Sequence, residues 1–380
     1  MQLFHSPQIE PLLQRLAQRL TAPLDDPFTP ELVVVPSNDM ARYLKRELAR
    51  TLGAKDGNDG IVSNINFVYP RQLVNATLQN PTGSEDSEWD SNSLIWSIVD
   101  TLLTSKSITI PGFNEAPVTV ARRAADLLDR YASHRPEMLN EWTSGQAHDG
   151  KITSNRLNSP TKDQKWQREL FIELAKKFSE GPCSPRALDN LNQYSQALRE
   201  PSNIASVPQR ISVFGITTLS RAARHILEVL GKACDIHIYM VYAAGDVWPE
   251  PSAHEVQLRS AFPATSVQHP LTSRWGAQVL ENAAVFGKVE RTYLPSSISG
   301  NSLLHHAQDS IVADSFQDFA LTDDARKVLR ASSDGSLQVH ACYGLARQVE
   351  ALRDAFLHEL NNNPHLQLRD FAILCADIDA

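Results

Sequence analysis

Arg210-Ile211-Ser212-Val213-Phe214-Gly215, then Leu219 to Leu230, then Asp235-Ile236-His237-Ile238-Tyr239-Met240-Val241, is the stretch whose reading decides the fold. The first run is β-branched and aromatic and ends in glycine, the pattern of a buried strand. Leu219, Ala222, Ala223, Ile226, Leu227 and Leu230 recur at helical spacing, with Arg221, Arg224, His225 and Glu228 on the other face. Gly231 stands where a helix closes through a residue of positive φ. The third run reads as a second buried strand. Strand, helix and strand with short connections make a βαβ unit, so the two strands should be parallel neighbours in a covered sheet. Such sheets bind ligands beyond the carboxyl ends of their strands, here Gly215 to Ser220. That loop contains neither GxGxxG nor GK[ST], so it specifies no phosphate chemistry.

The same grammar recurs upstream. Gln2-Leu3-Phe4-His5 reads as a first strand, followed by an apolar stripe of Ile9, Leu12, Leu13, Leu16 and Leu20. Pro11 is tolerated there if it falls in the first helical turn. Thr21 to Pro30 holds three prolines and reads as a loop. Leu32-Val33-Val34-Val35 is a strong buried strand, and Ser37 is placed to cap a helix bearing Met40, Tyr43, Leu44, Leu48 and Leu52. Ile65-Asn66-Phe67-Val68 reads as a third strand. From about Ser84 the texture is helical: Trp89, Ile95, Trp96, Ile98, Val99, Leu102 and Leu103 belong to one helix, and Val118 to His134 to a second. Ala121, Ala124, Ala125, Leu128 and Tyr131 face inward on that second helix. Arg135-Pro136 ends it, because the residue before proline avoids the α region. Trp166, Leu170, Phe171, Leu174 and Phe178 mark a third helix and Pro185 to Leu198 a fourth. Downstream, Leu271 to Phe286 and Ser302 to Val312 read as helices and Asp323 to Ser336 as a polar linker. Leu337, Val339 and Ala341 alternate as a strand. Ala346, Val349, Leu352, Ala355 and Phe356 form a helix face, and Phe371 to Cys375 is a last strand. The fold class is therefore α/β. The division is a domain over 1–330, with core at 1–83 and 205–330 and a helical insertion at 84–204, then the start of a second, truncated domain at 331–380.

Composition bounds the function. A chain of 380 residues exceeds what one core usually covers, and 42% apolar with 21% charged residues is ordinary for a globular protein. The net charge of −8 weighs against strong autonomous nucleic-acid binding but leaves room for a local basic groove. Cys183, Cys234, Cys342 and Cys375 have no paired spacing, which fits buried free thiols in a reducing cytoplasm. No signal peptide is legible at the amino terminus, and no apolar run approaches the roughly 20 residues that span a bilayer. The last residues read as a strand just made, hence a fragment of a longer protein.

Candidate sites are sparse. His305-His306 and His340-x-Cys342 match no zinc spacing and read as surface or core histidines. No glycine-flanked serine resembles a nucleophile elbow. Asp126 and Arg130 are four residues apart on one helix, which reads as an exposed ion pair worth about 0.3–0.5 kcal/mol. Arg122, Arg123, Arg130 and Arg135 also fit the lining of a backbone-binding groove, though from the residues alone the ion-pair reading is the favoured one.

Taken in order, several stretches resemble the amino-terminal part of the exodeoxyribonuclease V gamma-chain (RecC) family. They are Phe4-His5-Ser6, Leu24-Asp25-Asp26-Pro27-Phe28, Val35-Pro36-Ser37 with Met40-Ala41 and Leu44, and Asn64-Ile65-Asn66-Phe67 with Pro70. Ala124-Ala125-Asp126-Leu127-x-Asp129 with Tyr131, Arg135-Pro136 and Trp142 continues the match. So do Phe214-Gly215-Ile216, Leu230-Gly231-Lys232 with Ile236-His237, Ser273-Arg274-Trp275-Gly276, Asn301-x-Leu303-Leu304-His305, Arg347-x-Val349-Glu350-x-Leu352 and Ala376-Asp377-Ile378-Asp379. The resemblance implies a superfamily 1 helicase-like parallel-sheet domain that lacks a phosphate loop, and His5-Ser6-Pro7-Gln8 indeed carries no GxxxxGK[ST].

It also implies a non-catalytic DNA-handling role in a helicase–nuclease of double-strand break repair, with no cofactor in this chain. ATP and magnesium are then held by the beta and alpha subunits, the RecB and RecD proteins. The implied partners are those subunits, DNA ends and single-stranded DNA, in the cytoplasm and away from membranes. The implied Chi-recognition positions are Tyr69, Asn75, Asp126, Leu127, Asp129, Arg130, Arg135 and Arg186. Two depart from the family: Asn75 stands where an aromatic is expected, and Tyr69 replaces the leucine before Pro70. Both bear on which Chi sequence would be read. Two competing readings stay open, a protein-interaction scaffold without DNA contact and an active nucleotide-binding helicase.

Overall fold

The computed structural model describes residues 1–53, 60–70, 72–73, 91–105, 108–135, 138–139, 142, 162–178, 208–217, 219–247, 267–276, 286, 289–295, 300, 302–316 and 334–375. The chain divides into two compact units, Met1–Ile298 with Asp309–Gln317, and Ser299–Gln308 with Asp318–Ala380.

The first unit is built on a parallel sheet. Its elements in order are β1 (Gln2–Ser6), α1 (Ile9–Thr21), β2 (Glu31–Val34), α2 (Asn38–Ala49), β3 (Ile65–Val68), α3 (Ser91–Thr104), α4 (Pro117–His134), α5 (Lys162–Lys177), β4 (Arg210–Phe214), α6 (Arg221–Leu230), β5 (Asp235–Val241), α7 (Pro270–Trp275) and β6 (Glu290–Tyr293). Helix α8 (Leu303–Val312) follows. The strand order is β3-β2-β4-β5-β1-β6, and every pairing is parallel. The β4–α6–β5 stretch is the expected βαβ unit, with Ile211 opposite Ile236 and Val213 opposite Ile238. β6 was not legible beforehand. Its Glu-Arg-Thr-Tyr sequence lacks the apolar run of an inner strand because it sits at an edge, where three of its four residues are exposed.

Period-two alternation divides the core between the two faces of the sheet. Leu3, Val34, Ile211, Val213, Ile236, Ile238 and Met240 pack with Ile226, Leu227 and Leu230 of α6. Phe4, Val33, Val35, Phe214 and Tyr239 pack with Leu12, Leu13 and Leu16 of α1 and Ala41, Leu44 and Leu48 of α2. Fully burying an aliphatic side chain stabilises by about 1.5–3 kcal/mol, so these two layers dominate the fold. Helices α3, α4 and α5 have a core of their own, in which Ile98 and Leu102 meet Ala121, Ala124, Leu128, Leu170, Phe171 and Leu174. Helix α4 also lies against α6, which joins the helical block to the sheet layer.

Local signals held where they satisfied backbone groups. Ser37 caps α2 by accepting from the Met40 N–H at 3.2 Å, and Ser220 caps α6 by accepting from Ala223. Leu219 therefore precedes α6 rather than opening it. Gly231 corrects the expectation of positive φ, because it sits at φ −64 in the right-handed region. A Cβ there would lie 3.0 Å from the Leu227 carbonyl oxygen, a tight contact that glycine avoids.

The second unit carries helix α9 (Leu345–Asn362) and a 3-10 turn at Leu368–Asp370. Residues 337–341 and 371–375, read as strands from their alternation, form no ladder among the described residues. A strand needs a hydrogen-bonded neighbour, and the pattern alone does not supply one. Of the cysteines, Cys234 is a buried free thiol, while Cys342 is half-buried and Cys375 exposed, which corrects the reading that all are buried; Cys183 lies outside the described residues.

Candidate nucleic-acid interface

Five of the sequence-derived site residues come together on α4 and its end. Pro117 opens the helix at a position where its missing N–H costs nothing. Ala121, Ala124, Ala125 and Leu128 are buried, so Arg122, Arg123, Asp126 and Arg130 are left exposed, with Leu127 and Asp129 half-buried between the faces. The expected Asp126–Arg130 ion pair is not formed among the described residues, which leaves a run of arginines interrupted by carboxylates. Arg135 leaves the helix at φ −139, ψ 48, outside the α region that a residue before proline avoids, and its N–H donates to the Tyr131 carbonyl at 2.7 Å.

Aromatic packing fixes this end of α4. The Tyr131 hydroxyl donates to Gln167 Oε1 of α5 at 2.9 Å. The Tyr131 ring meets the edge of Trp142 at 5.9 Å, and Trp142 meets Phe171 at 5.9 Å. The exposed Arg135 guanidinium stands 6.0 Å above the Tyr131 ring, within cation–π range. A planar cation held over a fixed ring presents its donors outward, the arrangement that suits a phosphate or a base edge.

Tyr69 sits apart from α4, just beyond the edge strand β3. Its N–H donates to Gln72 Oε1 at 2.9 Å, and the side chain is exposed. Asn75 and Arg186 lie outside the described residues. One group escaped the sequence reading: Arg42, Lys45, Arg46 and Arg50 are exposed on α2, and Lys45 stands 5.4 Å over Phe67 of β3. Their three- and four-residue spacing was the available signal. Asp39 and Glu47 pair with Arg42, Arg46 and Arg50, so the face is only moderately basic.

At the β1–α1 turn, where a nucleotide-binding parallel sheet would hold phosphate, the space is filled in a different way. Pro7 and Gln8 alone separate β1 from α1, whereas a phosphate-cradling GxxxxGK[ST] loop takes about eight residues. Gln8 provides no side-chain cap, Glu10 puts a carboxylate in the first turn, and Pro11 removes an N–H. At the carboxyl ends of β1, β5 and β6 the buried His5 ring packs against Tyr242 at 5.9 Å and Tyr293 at 5.4 Å. Burial holds the His5 imidazole down at a pKa of about 4, so it is neutral and offers a phosphate no charge. Neither His305-His306 nor His340-x-Cys342 belongs to a group able to hold a metal ion among the described residues. No helix among those residues is long and apolar enough to cross a membrane.

A family model for the RecC N-terminal domain matches residues 1–314, from β1 through the helical block to the end of α8. The chain belongs to the RecC N-terminal domain family. RecBCD enzyme subunit RecC of Mycobacterium tuberculosis is 28% identical over 397 residues, covering 97% of this chain and 34% of the relative. The RecC subunit of Mycolicibacterium smegmatis is 28% identical over 391 residues, covering 97% and 32%. That of Escherichia coli is 24% identical over 439 residues, covering 100% and 37%. The chain thus spans about a third of the length of the curated RecC relatives it matches.

Proposed function

We propose that this chain is the amino-terminal part of a non-catalytic, DNA-handling subunit of the ATP-dependent helicase–nuclease exodeoxyribonuclease V, acting in the cytoplasm in double-strand break repair by homologous recombination. The observation that carries the reading is membership of the RecC N-terminal domain family over residues 1–314. The two-residue β1–α1 turn supports the non-catalytic half of it and disfavours the alternative of an active nucleotide-binding helicase. On this reading RecB- and RecD-type subunits hold ATP and magnesium. The sheet unit with its helical insertion corresponds to a helicase-like first domain, and residues 331–380 open a second. The 3′ strand is held, and scanned for a Chi-like sequence, by Tyr69, Asn75, Asp126, Leu127, Asp129, Arg130, Arg135 and Arg186.

The test is a salt titration of single-strand binding by the full complex. Each phosphate contact contributes about −0.7 to the slope of log K against log salt for a single strand. Replacing Arg122, Arg123 and Arg130 by glutamine should flatten the slope by about 2 if all three touch phosphates. An unchanged slope and affinity would remove α4 from the DNA path.

A further inference from the structure

The Leu24-Asp25-Asp26-Pro27-Phe28 motif shares in the family resemblance but in none of the candidate DNA contacts, and its geometry is unusual. It lies in the connection from α1 to β2, at the amino end of the sheet, opposite the carboxyl ends where ligands of such sheets bind. The Phe28 side chain is 88% exposed. Yet the backbone that carries it is braced from three sides. Asp26 accepts from the Phe28 N–H at 3.0 Å and the Thr29 hydroxyl at 2.8 Å. Asn64, itself at φ 57, donates from Nδ2 to the carbonyls of Pro27 and Thr29, both at 3.1 Å. Gln209 Oε1 accepts from the Asp25 N–H at 3.0 Å. Beside the loop opens a cleft of about 610 Å³ lined by Leu20, Glu31, Leu52, Ile61, Val62 and Ile65, with Ile61 83% exposed.

An aromatic ring held in water on a pre-ordered backbone is an interface anchor, since little ordering entropy remains to be lost on docking. We propose that Phe28, with Ile61 and the adjoining cleft, is a protein-docking surface that inserts into an apolar socket rimmed by lysine or arginine side chains on another polypeptide. Charge selects that occupant. Asp25 and Asp26 flank the ring, are exposed, and have no ion-pair partner among the described residues. The hydrogen bonds from the Phe28 N–H and the Thr29 hydroxyl keep Asp26 below the usual carboxylate range, so it is ionised at neutral pH. Such a flank repels nucleic-acid phosphate and anionic lipid and attracts a basic rim. In the assembly proposed above, which this identification of the partner rests on, the socket belongs to one of the other subunits.

The experiment uses the full-length protein, alone and with its helicase and nuclease partner subunits, by hydrogen exchange over 23–31 and by titration of assembly. The expected results are a gain of protection over 23–31 on assembly, beyond that of the isolated chain, and a Kd about thirtyfold higher for Phe28→Ala, the scale of an interface hot spot. Asp25→Lys should also weaken assembly, and Phe28→Leu should retain most of it. Phe28 is 88% exposed, so Phe28→Ala should leave the melting temperature unchanged, and that measurement separates a lost contact from a folding defect. Wild-type assembly matched by Phe28→Ala, without protection, overturns the docking surface and leaves the assembly reading intact. No gain of protection on assembly, with Phe28→Ala lowering the melting temperature of the isolated full-length chain, assigns the socket to a later part of the same chain and overturns the proposal. Failure of the wild-type protein to assemble overturns the partner and the assembly reading together.

Discussion

Arg210 grips Glu31 across the amino ends of β4 and β2. Its Nε donates to both carboxylate oxygens, at 3.1 and 2.9 Å, a second nitrogen also reaches the carboxylate, and the same nitrogen donates to the Ala22 carbonyl at 2.6 Å. The two side chains are only 11% and 15% exposed, so water has been largely replaced by this fork. The pair joins residues 179 positions apart and fixes where the α1–β2 connection meets the sheet.

Removing one partner leaves a charge with poor solvation, which costs about 3–5 kcal/mol in buried settings. Arg210→Met should therefore lower the urea midpoint sharply, while Arg210→Met with Glu31→Leu should recover much of the loss. Equal destabilisation by the single and double variants would show that the Ala22 contact, rather than the ion pair, carries the stability. Equilibrium urea unfolding of the three proteins decides between them.

Stability should fall on mild acidification. His5 and His237 are both pushed from 6.5 to about 4, chiefly by burial. Arg19 adds to the depression at His237, and Asp235 opposes it. The unfolded chain takes up these protons below pH 6.5 and the native protein only near pH 4. The full contribution is thus present above pH 6.5 and is lost between 6.5 and 4. The slope is roughly 1.4 kcal/mol per pH unit for each histidine within that window. His5→Phe packs against the same two tyrosines and should flatten the profile between those limits. A variant profile parallel to the wild type would place the acid sensitivity elsewhere.

Arg135→Ala in the assembled enzyme should alter tail binding or its regulation more than folding. The side chain is exposed, so its loss costs stability on the order of 0.5 kcal/mol, with the Tyr131 cation–π contact adding a similar amount at most. Loss of a base contact costs about 1–3 kcal/mol. Thermal unfolding and strand-specific degradation are measured side by side. A fall of many degrees in melting temperature, with DNA processing per folded molecule unchanged, would make Arg135 structural.

The chain should bind no ATP at the β1–α1 turn. Two residues cannot present the run of amides that a triphosphate needs, and Glu10 adds repulsion where the helix end would attract. Calorimetry with magnesium-ATP is expected to give no saturable heat. Tight, magnesium-dependent binding would refute the filled-site account.

The inner strands and the amphipathic helices are legible in local sequence. Val33, Val34, Ile211, Ile236 and Ile238 come in short apolar runs because a parallel strand is buried on both faces, and Ser37 and Ser220 mark helix starts because an orphan N–H needs a local acceptor. These are short-range requirements, legible in a window of ten residues. Only the tertiary structure decided what depends on distant neighbours. The order β3-β2-β4-β5-β1-β6 made a strand of the polar 290–293 segment, because β1 supplied its ladder, while the more apolar 371–375 segment found none among the described residues. It placed Glu31 under Arg210, closed the end of β1 with Tyr242 and Tyr293, and left Phe28 on a braced loop in water. Each of those contacts joins residues far apart in the chain, and their cost and benefit exist only once the sheet has brought them together.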